Sequence, residues 1–359
     1  MKKKLLLITD AWLPQVNGVV RTLTHTLEEL EQMNFEVEVI SPAQFPTLPC
    51  PLYSEIRLSL PLFWRVTSTI KRFKPDHIHI ATEGPLGAMA RLYCRFHGLQ
   101  FSTAFHTVFP EYAKHIAGIP EGFSWAIFRW FHKPSRNIMV ATPSMKRKLE
   151  AKGFKNLQVW SRGLNRTQFR PLKKQHLDDP KPILLYVGRV SKEKNIEAFL
   201  KTKTPGTKHV VGDGPLRAAL EKRYPEVRFL GYKRGEELAQ AYADADLFVF
   251  PSRTDTFGNV ILEALASGLP VAAYPEPGPI DLILDPKHGA LDDDLRSAIE
   301  KALLTGDSKA CVAYAREFTW KNCTKQFVNY LVDAKPSTNS ELSVDSTTND
   351  PSPMNSPSA

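Results

Sequence analysis

Nothing in the chain approaches the run of about 18 apolar residues that would span a bilayer, so the sequence predicts no transmembrane helix. The opening MKKKLLLITDAWLP has the charged start of a secretory signal, but its apolar run is only about five residues and stops at Thr9-Asp10, so it reads as a first buried strand. Cysteine is scarce. The four present, Cys50, Cys94, Cys311 and Cys323, have no metal-type spacing and are too sparse for a disulfide framework. That excludes a disulfide-stapled secreted fold and suits a reduced, cytoplasmic setting. Zinc-finger spacings, a basic zipper and an aromatic RNA-binding signature are also missing, so no nucleic-acid partner is expected. Charge alone leaves a basic nucleic-acid-binding protein open; it would need its basic residues in one continuous groove with stacking aromatics and would lose binding steeply with salt.

What is present suffices for two domains: 359 residues, 42% of them hydrophobic. The net charge of +9 is unevenly placed. Residues 1–170 hold 23 Lys+Arg against 12 Asp+Glu, whereas 171–359 hold 24 against 26. In LFWRVTSTIKRFK (Leu62 to Lys74) and FSWAIFRWFHKPSR (Phe123 to Arg136) the basic residues alternate with large apolar ones, as in helices that lie on an anionic membrane. An amphipathic helix packed on a sheet would give the same pattern.

Short apolar runs ending in polar tips recur along the chain. KLLLIT (4–9) predicts a strand buried on both faces, followed by a loop with Pro14, Asn17 and Gly18, a helix from Val19 to about Met33, and a strand at EVEVIS. HIHIA, QFSTAFHTVFPEY and NIMVATPS continue the series, with Ser144 expected to cap the helix that carries MKRKLEAKG. Leu157 to Pro182, rich in charge and proline, reads as a linker. A second series follows in PILLYVGRV, TKHVVGDGP, VRFLGY, ADLFVF and LPVAAY. The fold class is therefore α/β, with two parallel sheets flanked by helices. The expected boundaries are 1–168 and 169–319, then a C-terminal helix at 320–335 that returns to the first domain, and a disordered tail at 336–359.

The most informative stretch is PSRTDTFGNVILEA (Pro251 to Ala264), which reads as strand end, tight loop and helix start. A helix beginning near Gly258 or Asn259 offers unpaired N–H groups and the positive end of its dipole, which suit a diphosphate. Asp255 before the helix and Glu263 on its second turn would meet one ligand lying across the helix start, although an N-capping Asp and a solvated Glu would look alike. The Asp-x-Asp pattern in LDDDLR (Leu291 to Arg296) resembles a metal-diphosphate site, but it immediately precedes an apolar helical pattern and reads as acidic N-terminal capping. No required metal is expected.

Together NGV (Asn17 to Val19), FHTVFPEY, RGLNRTQFRP, GRVSKEKN, VGDGP and TDTFGNVILEA resemble the retaining glycosyltransferases of family 4, over roughly residues 4–334. The resemblance implies the GT-B architecture, two Rossmann-like domains facing across a cleft, and a nucleotide-sugar donor (a UDP- or GDP-hexose) with no cofactor. It also implies that Arg189 and Lys194 clamp the diphosphate, that Glu263 accepts from the ribose hydroxyls, and that Asp255 contacts the hexose. The family usually has Glu where Asp255 stands. Backbone around Phe257, Gly258, Asn259 and Gly18 would line the phosphate site, His106 would hydrogen-bond the transferring sugar, and Glu83 in TEGP would stand on the acceptor side. Within the family the second half looks like a bacterial branch of diacylglycerol glycosyltransferases and GDP-mannose-dependent mannosyltransferases. That implies a lipid acceptor and a peripheral enzyme at the inner face of the cytoplasmic membrane. A mannosyltransferase building a phospholipid glycoside or a polysaccharide, and a catalytically silent sugar-nucleotide-binding protein, are the alternatives.

Overall fold

A strand buried on both faces must alternate its side chains between two helical layers, and the first strand does so. In the computed structural model, which describes residues 2–15, 17–50, 53–60, 62–109, 120–175 and 179–335, β1 (Lys3–Ile8) turns Leu5 and Leu7 to one layer and Leu6 and Ile8 to the other. Around it β2 (Phe35–Ile40), β5 (His77–Ile80), β6 (Ser102–Phe105), β7 (Ile138–Val140) and β8 (Leu157–Val159) pair in parallel, in the order β2-β1-β5-β6-β7-β8. A small antiparallel hairpin, β3 (Thr47–Cys50) and β4 (Tyr53–Ser59), stands apart from this sheet. The second sheet repeats the plan with β9 (Ile183–Val187), β10 (Thr207–Val211), β11 (Arg228–Gly231), β12 (Leu247–Phe250), β13 (Val271–Ala273) and β14 (Gly289–Leu291), in the order β11-β10-β9-β12-β13-β14. In each sheet the strand order reverses beside the first strand, at β1/β5 and at β9/β12. Crevices at the carboxyl ends of such strands are where doubly wound sheets bind ligands.

Among the described residues the helices are α1 (Gly18–Gln32), α2 (Phe63–Phe73), α3 (Pro85–Phe96), α4 (Glu121–His132) and α5 (Pro143–Ala151) in the first half. In the second half they are α6 (Ile196–Lys201), α7 (Arg217–Arg223), α8 (Gly235–Asp244), α9 (Asn259–Ala266), α10 (Pro279–Leu282), α11 (Leu295–Thr305) and α12 (Ser308–Ala315). Asn17 caps α1 by accepting from the amides of Val19 and Val20, both at 3.0 Å. A last helix, α13 (Trp320–Asn329), packs Cys323 and Phe327 against Trp160, Leu23 and the Leu5/Leu7 face of the first sheet. Trp160, fully buried, donates its indole N–H to the Cys323 carbonyl at 3.2 Å.

Several expectations are corrected. The C-terminal helix stops at Asn329, short of residue 335. The chain then leaves it to bridge β5: the Ala334 amide donates to the Asp76 carbonyl at 2.7 Å, and His77 Nδ1 lies 2.9 Å from the Val332 carbonyl. The stretch read as linker begins with β8, whose three residues complete the first sheet. Thr142, not Ser144, caps α5, because Pro143 occupies its first turn; Thr142 Oγ1 accepts from the Met145 amide at 3.2 Å. The expected tail at 336–359 and the Pro110 to Tyr112 end of FHTVFPEY lie outside the described residues.

Candidate active site between the two sheets

The loop after β12 leads to α9, whose N-cap is Gly258 in the left-handed region at φ +86°. A Cβ there would come closest to the tip of the Ile261 side chain, at 2.9 Å, so it is the left-handed turn that calls for glycine. The α9 N-terminus faces α1 across the cleft. A Cβ on Gly18 would lie 3.4 Å from Asn259 Nδ2, so the two helix starts converge from opposite domains. Phe257 is buried beneath this junction.

Glu263 is 2% exposed on α9, and both its carboxylate oxygens are engaged. Tyr242 of α8 donates to Oε2 at 2.9 Å, and Arg21 of α1 pairs with Oε1 across the cleft. The carboxylate raises the Arg21 pKa further, and burial together with Glu263 pushes the Tyr242 hydroxyl well above its usual range. Arg21 and Tyr242 were not singled out from the sequence. Arg21 follows Gly18 by three positions, one turn along the same helix face, which is the only signal it gives.

Lys194 and Asp255 are joined directly, Nζ to Oδ1 at 2.5 Å. The loop after β9 that carries Arg189 and Lys194 is knit to the β12 loop. Asn195 Nδ2 donates to the Pro251 carbonyl at 3.0 Å, and Thr254 Oγ1 donates to the Glu193 carbonyl at 3.1 Å. Arg189 sits 3.9 Å from Glu193, and its carbonyl accepts from Tyr186 at 2.7 Å. At Gly212 in VGDGP (φ +140°), a Cβ would strike the Gly188 carbonyl at 1.9 Å, so that motif serves close packing of the β9 and β10 tips.

His106 is the first residue beyond β6, at the floor of the cleft. Its carbonyl accepts from Thr256 Oγ1 of the second domain at 2.8 Å. Buried Arg162 lies 3.2 Å from its Nδ1 and donates also to the Trp160 and Ser161 carbonyls, at 2.6 and 3.1 Å. A guanidinium only donates, so Nδ1 accepts and the ring proton sits on Nε2. Burial, then Arg162, His79 and His132, hold the His106 pKa well below its ordinary value, so the ring is neutral. Burial also lowers Arg162, to about 10. Arg162 opens RGLNRTQFRP, yet no role for it follows from the sequence.

Three buried polar atoms at this junction have no hydrogen-bond partner among the described residues: His106 Nε2, Asp255 Oδ2 and Asn259 Oδ1. Buried polar groups are ordinarily paired, so this set marks where a polar ligand would be held. Glu83, at the β5 tip, is tied to His132 Nε2 at 3.1 Å. The acids of LDDDLR have structural roles. Asp294 caps α11 through the Arg296 amide at 3.1 Å, and Asp292 is paired with Lys301 at 2.7 Å.

The described helices include none long and apolar enough to cross a membrane. The first domain nevertheless leaves a stripe of Phe123, Ile127 and Trp130 exposed on α4, although Trp125, Phe128 and Phe131 of the same helix are buried. Arg91 stacks on Trp130 at 3.7 Å and joins this stripe to α3, where Leu92 and Phe96 are also exposed. Lys133 and Arg136 lie exposed just beyond α4.

Residues 16–168 match the family model described as Glycosyltransferase Family 4, and residues 181–305 match that of Glycosyl transferases group 1. A GDP-mannose-dependent alpha-mannosyltransferase of Mycobacterium tuberculosis is 32% identical over 79% of this chain and 82% of its own length. An alpha-monoglucosyldiacylglycerol synthase of Streptococcus pneumoniae is 28% identical over 83% of this chain and 78% of its own. Among solved structures, sucrose-phosphate synthase from Thermosynechococcus elongatus superposes with a TM-score of 0.75 at 19% identity, covering 91% of this chain and 98% of that one. The architecture is GT-B.

Proposed function

The chain is a member of glycosyltransferase family 4 that uses nucleotide sugars, and from that premise we propose that it moves one hexose, with retention and without a metal, from a nucleotide sugar to a diacylglycerol-type membrane lipid. The observation that carries the proposal is that His106 Nε2, Asp255 Oδ2 and Asn259 Oδ1, contributed by both domains, are buried and unpaired. A hexose offers hydroxyls that both donate and accept, which this mixed set would satisfy.

In this reading Arg189 and Lys194 hold the diphosphate and stabilise the charge that grows on it as the sugar leaves. Lys194 already lies on Asp255, so phosphate and hexose contacts would be mechanically coupled. Backbone at Gly18, Phe257, Gly258 and Asn259 lines the phosphate side. Glu263 takes the ribose hydroxyls, Asp255 the hexose, and His106 donates from Nε2 to the transferring sugar. A neutral ring suits that role, because a protonated one would repel the positive charge that develops on the sugar. Glu83 stands on the acceptor side.

GDP-mannose is the first donor to test, since the mannosyltransferase relative is GDP-mannose-dependent by name. The apolar and basic face of α4 supports a lipid acceptor presented by an anionic surface. Enzyme incubated with GDP-mannose and dioleoylglycerol in phosphatidylglycerol vesicles containing EDTA is expected to yield an α-linked glycolipid, identified by NMR of the purified product. A β-linked product, or dependence on an added divalent cation, would refute retention or metal independence respectively.

A further inference from the structure

Glu83 does not stand alone at the strand tip. Its Oε1 is 3.1 Å from Nε2 of His132, the last residue of α4, whose side chain has no exposed surface, while Glu83 keeps 17% of its own exposed. Behind His132 runs a line of groups whose donors are fixed by elimination. The Ser135 hydroxyl lies 2.7 Å from the Asn137 carbonyl and 3.4 Å from that of Phe101. Carbonyls only accept, so Ser135 places its single proton there. Ser135 Oγ therefore accepts from Thr103 Oγ1 at 3.0 Å. Thr103 has then no proton left for His132 Nδ1, 2.9 Å away, and must accept from it. Nδ1 is thus protonated. Nε2 meets Glu83 either as an N–H donating to a carboxylate or as a lone pair accepting from a carboxylic acid. Either way the pair holds one proton between them, and a bare carboxylate facing a bare Nε2 would be repulsive.

On the reading of the cleft as a glycosyl-transfer site, we propose that Glu83 binds the attacking hydroxyl of the acceptor and that His132 is its positioning residue, holding and aiming the carboxyl from behind. The His132 ring packs against Phe105, 5.9 Å between centroids, and Phe105 is the residue just before His106, the one assigned to the transferring sugar. No proton needs to leave or enter the pair: Glu83 accepts a hydrogen bond from the hydroxyl as it docks and orients its lone pair, and as that oxygen bonds to the anomeric carbon and the bond from that carbon to the diphosphate breaks, the hydroxyl proton passes to the departing phosphate oxygen. The other charged or titratable groups set against the pair are Asp10 from the β1 loop, His106, and Arg91 from α3. Asp10 accepts from the amides of Leu86 and Gly87 at 2.9 and 3.2 Å, and Arg91 donates to the carbonyls of Phe131 and Trp130 at 2.8 and 2.6 Å, so both have structural partners.

The test compares Glu83→Gln, His132→Phe, His132→Gln and the double variant Glu83→Gln/His132→Phe, with GDP-mannose and dioleoylglycerol in phosphatidylglycerol vesicles. Glu83→Gln and His132→Phe should each lower kcat/KM for the lipid about 10- to 100-fold while the Kd for GDP-mannose moves less than about twofold. The double variant should be no worse than the poorer single one. His132→Gln can still donate to Glu83, so it should recover part of the activity lost in His132→Phe. Equal losses of donor and acceptor affinity, additive singles, or a His132→Gln variant no better than His132→Phe would overturn the proposal. Imidazole nitrogen NMR supplies a readout that needs neither substrate: Nδ1 of His132 should be protonated in both proteins while the Nε2 chemical shift differs between Glu83→Gln and the parent, and identical Nε2 shifts would contradict the shared proton. Should the parent glycosylate no lipid while those shifts differ, the lipid-acceptor reading fails and the Glu83–His132 pair stands.

Discussion

Replacing Arg162 by Met would leave His106 Nδ1 without the donor that fixes its tautomer. Two consequences are expected. The His106 pKa should rise, because a neighbouring positive charge that lowers it is gone. Turnover should fall at least about tenfold, with an acid limb appearing at higher pH than in the parent, since Nε2 is no longer held as the donor. An unchanged pH profile in Arg162→Met would contradict the assignment. At the opposite wall, Glu263→Ala removes the proposed ribose contact and also strands Arg21 and Tyr242. Arg21 keeps 37% of its side chain exposed, so its stranding should cost less than the ~3–5 kcal/mol of a fully buried pair, and donor Kd and chemical stability should both worsen. The Arg21→Ala/Glu263→Ala cycle separates the two effects: stability losses should be non-additive, and the loss of donor affinity should follow Glu263. Lys194→Ala should chiefly slow turnover, measured as a drop in kcat larger than the rise in donor Kd.

At the scale of elements, the docking of α13 on the first sheet places Phe327, Trp160 and His79 in one cluster, with the His79 ring 4.9 Å from Phe327 and 6.2 Å from Trp160. Phe327→Ala should cost about 3–5 kcal/mol by chemical denaturation, as for other buried aromatics. Burial lowers the His79 pKa to about 3. Between its ordinary value of 6.5 and about 3 the unfolded chain binds the proton that the folded one refuses, so stability present above pH 6.5 is lost as pH falls through that window. Melting temperature should drop across it, and less steeply in His79→Gln. The strands and their loops were legible because a strand buried on both faces leaves a continuous apolar run, and because Gly258 and Asp255 bracket a helix start. The three-residue β8 was not, being too short to show a period. Nor was Arg162, Arg21 or His132 legible as part of a site. Each acts through a partner more than 45 positions away, and His132 lies in a stretch whose apolar and basic alternation reads equally well as surface.

Across the whole molecule the domains meet at more than the proposed donor site. The Ser144 amide and hydroxyl bind Asp281 of α10, the amide at 3.1 Å, and the Leu164 amide donates to the Phe318 carbonyl at 3.1 Å. On the proposed lipid-acceptor reading, the exposed stripe on α4 is the surface of the first domain that would rest on a bilayer. Exchange of Phe123, Ile127 and Trp130 for Ser should reduce sedimentation with phosphatidylglycerol vesicles about tenfold or more, by loss of apolar burial at roughly 25 cal/mol per Å². Donor affinity should be unchanged, and the parent's binding should weaken as salt is raised. The most direct test of the whole account is nucleotide release from GDP-mannose, UDP-glucose and UDP-glucuronate, each with and without diacylglycerol in anionic vesicles and with EDTA present. Release from one donor, and only when the lipid is supplied, is the predicted result; release that ignores the lipid, or none from any donor, would contradict it.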